Sequence, residues 1–169
     1  FFQLRLKKDS IKNKTIIAKK VLKICRLNKV KLIINDNPQL ALKVNAHGCH
    51  LGQKDMNIIK ARKILKKKII GVTCHNSMRL AKNAYINGAN YIALGAFFKT
   101  RTKKVKYKAD ITILNKIKKS INLPVVAIGG INEKNYKKLL LNKADFLAIS
   151  SYIWNNKNFK PYQAIKKLI

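Results

Sequence analysis

Acidic side chains are scarce. Asp9, Asp36, Asp55, Asp110, Glu133 and Asp145 are the only six among 169 residues, against 38 lysines and arginines. A hard-cation site needs oxygen ligands and must draw its carboxylates from this short set. Cysteine is also sparse: Cys25, Cys49 and Cys74 are odd in number and lack both C-x-x-C spacing and the density of a disulfide scaffold. Reduced thiols in a cytoplasmic protein are therefore expected. No apolar run reaches the roughly 18 residues of a membrane-spanning helix, and no export signal opens the chain. A membrane partner is not expected.

The formal charge of +32 raises nucleic-acid binding first, because clustered cations neutralise phosphates and release counterions. Clustering is what is missing, since lysines occur in every segment alongside abundant Asn and Ile. Phe1, Tyr91, Phe97 and Phe98 lie inside apolar runs and not on a polar face where bases stack. A solvated lysine coat is the preferred reading, and no nucleic-acid partner is expected. A homo-oligomer is left open.

What is present is a regular alternation of short β-branched runs with lysine-rich segments of helical period. Strands are predicted over Phe1–Leu6, Val30–Ile34, Gly48–Leu51, Ile69–Thr73, Tyr91–Phe97, Pro124–Ile128 and Phe146–Ile149. Helices are predicted over Ile11–Cys25, Pro38–Val44, Ile58–Leu65, Ser77–Ile86, Ile111–Ile121, Glu133–Leu141 and Tyr162–Leu168. Such alternation implies parallel strands joined by helical crossovers. Neither a glycine-rich first turn nor a topological switch point is visible, which favours an α/β fold of the (β/α)8 TIM-barrel kind over an open doubly wound sheet. No linker breaks the pattern, so residues 1–169 are read as one barrel domain. That barrel usually takes at least about 200 residues, and Phe1 already lies in a strand, so the domain is read as N-terminally incomplete, lacking its first strand and helix.

In such a barrel, functional residues collect where strands end. The first strand leaves through Gln3, Arg5 and Lys7, which strand alternation places on one face, suited to gripping phosphate oxygens. The next two exits read Ile33-Ile34-Asn35-Asp36 and His50-Leu51-Gly52-Gln53-Lys54-Asp55. Asp36 and Asp55 each resemble a helix N-cap, and capping is the default for a single such Asp. Two at neighbouring exits point instead to a shared magnesium ion, which favours one or two carboxylates with water and phosphate oxygens. His47-Gly48-Cys49-His50 invites a zinc reading but has no second ligand pair at suitable spacing. His50 and His75 are taken as buried, hydrogen-bonded histidines at strand ends in preference to general bases.

The fifth exit runs through Lys99, Thr100, Arg101, Thr102 and Lys103, with hydroxyls two apart followed by an ammonium. The last two exits are Ile128-Gly129-Gly130-Ile131-Asn132 and Ala148-Ile149-Ser150-Ser151, where backbone N–H groups can approach an anion. The strand exits therefore offer a carboxylate pair, two basic clusters and a terminal phosphate cradle. That set suits two phosphorylated groups and a divalent cation.

The motifs QLRLK, IIND, GCHLGQKD, GVTCHN, TRTK, AIGGI and AISS resemble, in order and spacing, those of the thiamine-phosphate synthase family over essentially the whole chain. HLGQ-x-D and T-x-T-K carry the specificity, whereas IGGI occurs in many phosphate-binding barrels. The resemblance implies a transferase of thiamine biosynthesis that joins hydroxymethylpyrimidine diphosphate to thiazole phosphate with release of diphosphate. It implies that Gln3 and Asn35 hold the aminopyrimidine, and that Arg5, Lys7, Thr73 and Lys103 hold the diphosphate. Arg5, Lys7 and Lys103 would be the catalytic cations. Asp36 and Asp55 would bind Mg2+, and Thr100, Thr102, Gly130, Ile149 and Ser150 would surround the thiazole phosphate. Departures from the family pattern are Leu6 and His47 at usually acidic positions, Ala96 and Lys99 at frequent prolines, and Thr73 at a usual serine. Two rivals remain: a thiazole tautomerase-like paralogue, which lacks the diphosphate and metal set, and a basic non-catalytic nucleic-acid-binding protein.

Overall fold

The computed structural model describes residues 1–100 and 107–168. These form two compact units, one of residues 1–73 with 86–90 and one of 74–85 with 91–168. Seven strands alternate with eight helices among the described residues, and all the strand pairs described below are parallel.

In the first unit, β1 (Phe2–Leu4), β2 (Leu32–Asn35), β3 (Gly48–Leu51) and β4 (Ile69–His75, its last two residues in the other unit) lie in chain order. Their registers pair Gln3 with Ile33, Asn35 with His50, and His50 with Gly71. All of β3 and most of β2 are buried, as near-continuous apolar runs in parallel strands require. Helices α1 (Ile11–Leu27), α2 (Pro38–Lys43) and α3 (Ile58–Leu65) follow the first three strands. Each starts on a side-chain cap: Ser10 accepts from the Asn13 N–H, Asn37 from Leu40 and Asn57 from Ile59. Ala18, Leu22, Ala41, Ala61 and Leu65 form their buried faces, and Leu32, Ile33, Ile34 and Ile70 are buried in the strands.

The second unit holds α4 (Met78–Ile86, whose last residue belongs to the first unit), β5 (Tyr91–Gly95), α5 (Thr112–Ser120), β6 (Val125–Ile128) and α6 (Tyr136–Leu141). It continues through β7 (Phe146–Ala148), α7 (Ser151–Trp154) and α8 (Pro161–Lys166). β6 pairs with β5 on one side and β7 on the other, with Gly95 against Ile128 and Ile128 against Ala148. Ile92, Leu94, Leu114, Ile117, Val125 and Leu139 make its core. Lys118 and Asp145, 3.0 Å apart, form an ion pair, and Asp145 also accepts from the Val125 N–H at 2.7 Å, fixing the start of β6.

Several boundaries differ from the sequence reading. β1 ends at Leu4 because its register with β2 ends at Ile34, so Arg5 and Lys7 lie beyond the strand. Gln3, Arg5 and Lys7 are nevertheless all exposed, while Phe2, Leu4 and Leu6 are half-buried, so the alternation outlasts the ladder. Glu133 falls in the turn before α6, not inside the helix. No helix among the described residues is long and apolar enough to cross a membrane.

Candidate active site

In the first unit, the ends of β2 and β3 bring the candidate carboxylates to one place. Asn35 is the last residue of β2, and Asp36 follows it in a left-handed backbone conformation at φ 67°. An aspartate held there stores backbone strain of order 1 kcal/mol, which persists only where the surroundings impose it. One such constraint is its N–H, which donates to the His50 carbonyl at 2.8 Å. Beyond β3 the chain turns tightly: the Asp55 N–H donates to the Gly52 carbonyl, and Asp55 Oδ2 accepts from the Gly52 N–H at 2.7 Å. Both carboxylates bear on Cys49, whose thiol is pushed up to about 12 by burial first and then by Asp36 and Asp55.

Neither Asp36 nor Asp55 caps a helix, contrary to the capping alternative. The adjacent Asn37 and Asn57 take those positions, and Asp36 and Asp55 are both exposed. Two hard oxygen ligands at neighbouring strand ends fit magnesium, which completes its shell with water and phosphate oxygens. Among the described residues no group of three His, Cys, Asp or Glu side chains could hold a metal ion. The zinc alternative gains no ligand group among the described residues: the buried Cys49 thiol donates to the His50 carbonyl, and His47 Nδ1 accepts the Leu32 N–H at 3.0 Å.

Thr73, half-buried near the end of β4, joins this cluster. Its hydroxyl lies 2.8 Å from His50 Nε2, and its carbonyl accepts from Gln53 Nε2 at 2.5 Å. His50 is 7% exposed, and burial drives its pKa down to about 4 against the opposing pull of Asp55. The imidazole is therefore neutral near pH 7 and serves to orient Thr73. His75 is different: it is half-buried, with its ring centroid 4.6 Å from that of Tyr107. Sequence reasoning assigned no role to Gln53, although it sits inside the quoted HLGQ motif.

The second unit contributes the other group of candidates. Phe97 and Phe98 N–H groups donate to the carbonyls of Ile128 and Gly129, which binds the segment leading to Thr100 onto the turn after β6. Gly129 and Gly130 both have positive φ, at 97° and 67°. A Cβ on Gly130 would stand 2.4 Å from the Lys99 carbonyl oxygen, so only glycine fits there. Asn135 braces this turn, accepting from the Asn132 N–H and donating to the Gly130 carbonyl at 3.0 Å. Ile149 and Ser150 follow β7, whose Ala148 pairs with Ile128, and the Ser150 hydroxyl makes no capping bond to α7. Thr102 and Lys103 lie outside the described residues.

The thiamine monophosphate synthase family model matches residues 1–153. The chain belongs to that family. It is 68% identical over 168 residues to the thiamine-phosphate synthase of Pelagibacter ubique, covering 99% of this chain and 81% of that one. It is 43% identical over 159 residues to the thiamine-phosphate synthase of Clostridium acetobutylicum, covering 94% of this chain and 75% of that one. Among solved structures it is similar to the thiamine phosphate pyrophosphorylase of Pyrococcus furiosus, with a TM-score of 0.89 at 31% identity, covering 98% of this chain and 79% of that one. A thiamine-phosphate synthase is a transferase.

Proposed function

We propose that this thiamine-phosphate synthase condenses hydroxymethylpyrimidine diphosphate with thiazole phosphate, giving thiamine phosphate and diphosphate. The first unit takes the pyrimidine diphosphate and the second takes the thiazole phosphate, on βα units that belong to a (β/α)8 barrel. The observation that carries the reading is the placement of Asp36 and Asp55 at the ends of paired strands, both acting on Cys49 and neither spent on a helix cap.

Gln3 and Asn35 hydrogen-bond the aminopyrimidine. Arg5, Lys7 and the hydroxyl of Thr73 meet the diphosphate, with Lys103 as a further cation. Asp36 and Asp55 would hold a magnesium ion, which when bound supplies positive charge to the diphosphate oxygens. The bond between the pyrimidine methylene carbon and the diphosphate oxygen breaks, its electron pair leaving on the diphosphate. The thiazole nitrogen then gives its lone pair to that carbon. Stabilising the departing charge and holding the nucleophile in line account for the protein's contribution. Thr100, Thr102, Gly130, Ile149 and Ser150 fix the thiazole through its phosphate.

The test is an assay with both phosphorylated substrates and magnesium, following thiamine phosphate and released diphosphate. Turnover that disappears in Asp36→Asn supports the reading. Absence of product from the intact protein overturns it, and so does salt-sensitive nucleic-acid binding as the only detectable activity.

A further inference from the structure

Glu133 is one of only six acids in the chain, yet it lies three residues after Gly130, in the turn that the proposed function gives to a phosphate. A carboxylate beside an anion site repels the anion, so what holds it and where it points matter. Its partner is Tyr152, whose hydroxyl donates to Glu133 Oε2. Tyr152 stands in the first turn of α7, two residues after Ser150. The bond therefore joins the turn after β6 to the turn after β7, the two segments assigned to the thiazole phosphate. Each is also braced locally, by Asn135 at Gly130 and by the Asn156 side chain, which donates to the Tyr152 carbonyl at 2.9 Å. Burial and then the Glu133 contact raise the Tyr152 hydroxyl to about 12, so it remains a donor throughout the working pH range.

We propose that Glu133 and Tyr152 are positioning residues: their hydrogen bond sets the separation of the Gly129–Gly130 and Ile149–Ser150 turns and so the affinity for the thiazole phosphate. The proposal rests on reading those turns as that phosphate's site. Neither side chain meets the reacting atoms. Their influence is confined to one substrate of the two.

Steady-state kinetics with each substrate varied in turn test this, using Tyr152→Phe, Glu133→Ala and Glu133→Gln in the full chain. Tyr152→Phe and Glu133→Ala should each raise KM for thiazole phosphate about five- to tenfold, the scale of a lost charge-assisted hydrogen bond that acts indirectly. Both kcat and KM for the pyrimidine diphosphate should stay within about twofold of the parent. Glu133→Gln keeps an acceptor oxygen and should restore KM to within about twofold of the parent. Calorimetric titration with thiazole phosphate alone should show the same ordering without turnover. An unchanged thiazole phosphate KM in Tyr152→Phe and Glu133→Ala overturns the proposal, as does an equal rise in both KM values. If the parent enzyme makes no thiamine phosphate, the functional reading itself fails, an outcome distinct from an active parent with insensitive variants.

Discussion

His50 Nε2 and the Thr73 hydroxyl, 2.8 Å apart, join the ends of neighbouring strands β3 and β4 through a buried, neutral imidazole. Serine in place of Thr73 would keep this hydroxyl and lose only the methyl group. Thr73→Ser should keep KM for the pyrimidine diphosphate within about threefold, whereas Thr73→Val, which removes the hydroxyl that meets His50, should raise it about tenfold. Equal KM values for the two variants would remove Thr73 from the diphosphate site.

Asp36→Asn offers a clean test of the metal site, because asparagine tolerates the left-handed backbone at φ 67°. Its melting temperature should match the parent's while magnesium-dependent turnover falls about a hundredfold. Asp55→Asn should lose activity similarly, and a chelator should abolish product formation by the parent. Magnesium-independent turnover would sink the assignment of both carboxylates.

Arg62 predicts a stability effect unrelated to catalysis. Its guanidinium donates to the carbonyls of Lys66, Lys68 and Gly88 and to Asn90 Oδ1, at 2.5 to 2.7 Å. Asn90 Oδ1 in turn accepts from the Ile70 N–H, so the network reaches into β4. Arg62→Lys preserves charge but cannot face four acceptors. Thermal unfolding should show a loss of about 2 kcal/mol, or about 5 °C in Tm. A Tm equal to the parent's would show the network to be dispensable.

Acid should weaken the metal-free fold through two histidines. Burial lowers both His50, to about 4, and His47, on which Arg26, Lys68 and Lys31 also press. The unfolded chain takes up these protons near pH 6.5 and the folded chain only at lower pH. Stability is thus fully present above about pH 6.5 and declines as pH falls towards about 4. Denaturant titrations should show a loss on the order of 3 kcal/mol for His50 across that window. His50→Gln should flatten the profile; an identical acid profile in that variant would refute a buried neutral imidazole.

Much of the fold was legible because buried parallel strands have a strong signature: β3 and α3 coincide with the sequence reading residue for residue. Helix caps were harder. Asn35-Asp36-Asn37 contains three acceptable caps and Asp55-Met56-Asn57 two, and the choice depends on backbone angles that composition does not encode. Helix α7, only four residues long, is too short to display a helical period. The candidate residues of the first unit could be picked out because they cluster within a few positions of strand ends. The bonds of Gln53 to Thr73 and Tyr152 to Glu133 were not, since each spans about twenty residues and follows from register alone.

Only five of the 38 cations are arginines. For surface charge alone an ammonium serves as well as a guanidinium, and such a composition can slide towards lysine at little cost. Arg62 marks where that interchange stops: an ammonium has three donors, and four acceptors converge on this side chain. At Arg62 the need for arginine is therefore set by geometry and not by charge, because several chain ends meet a single cation.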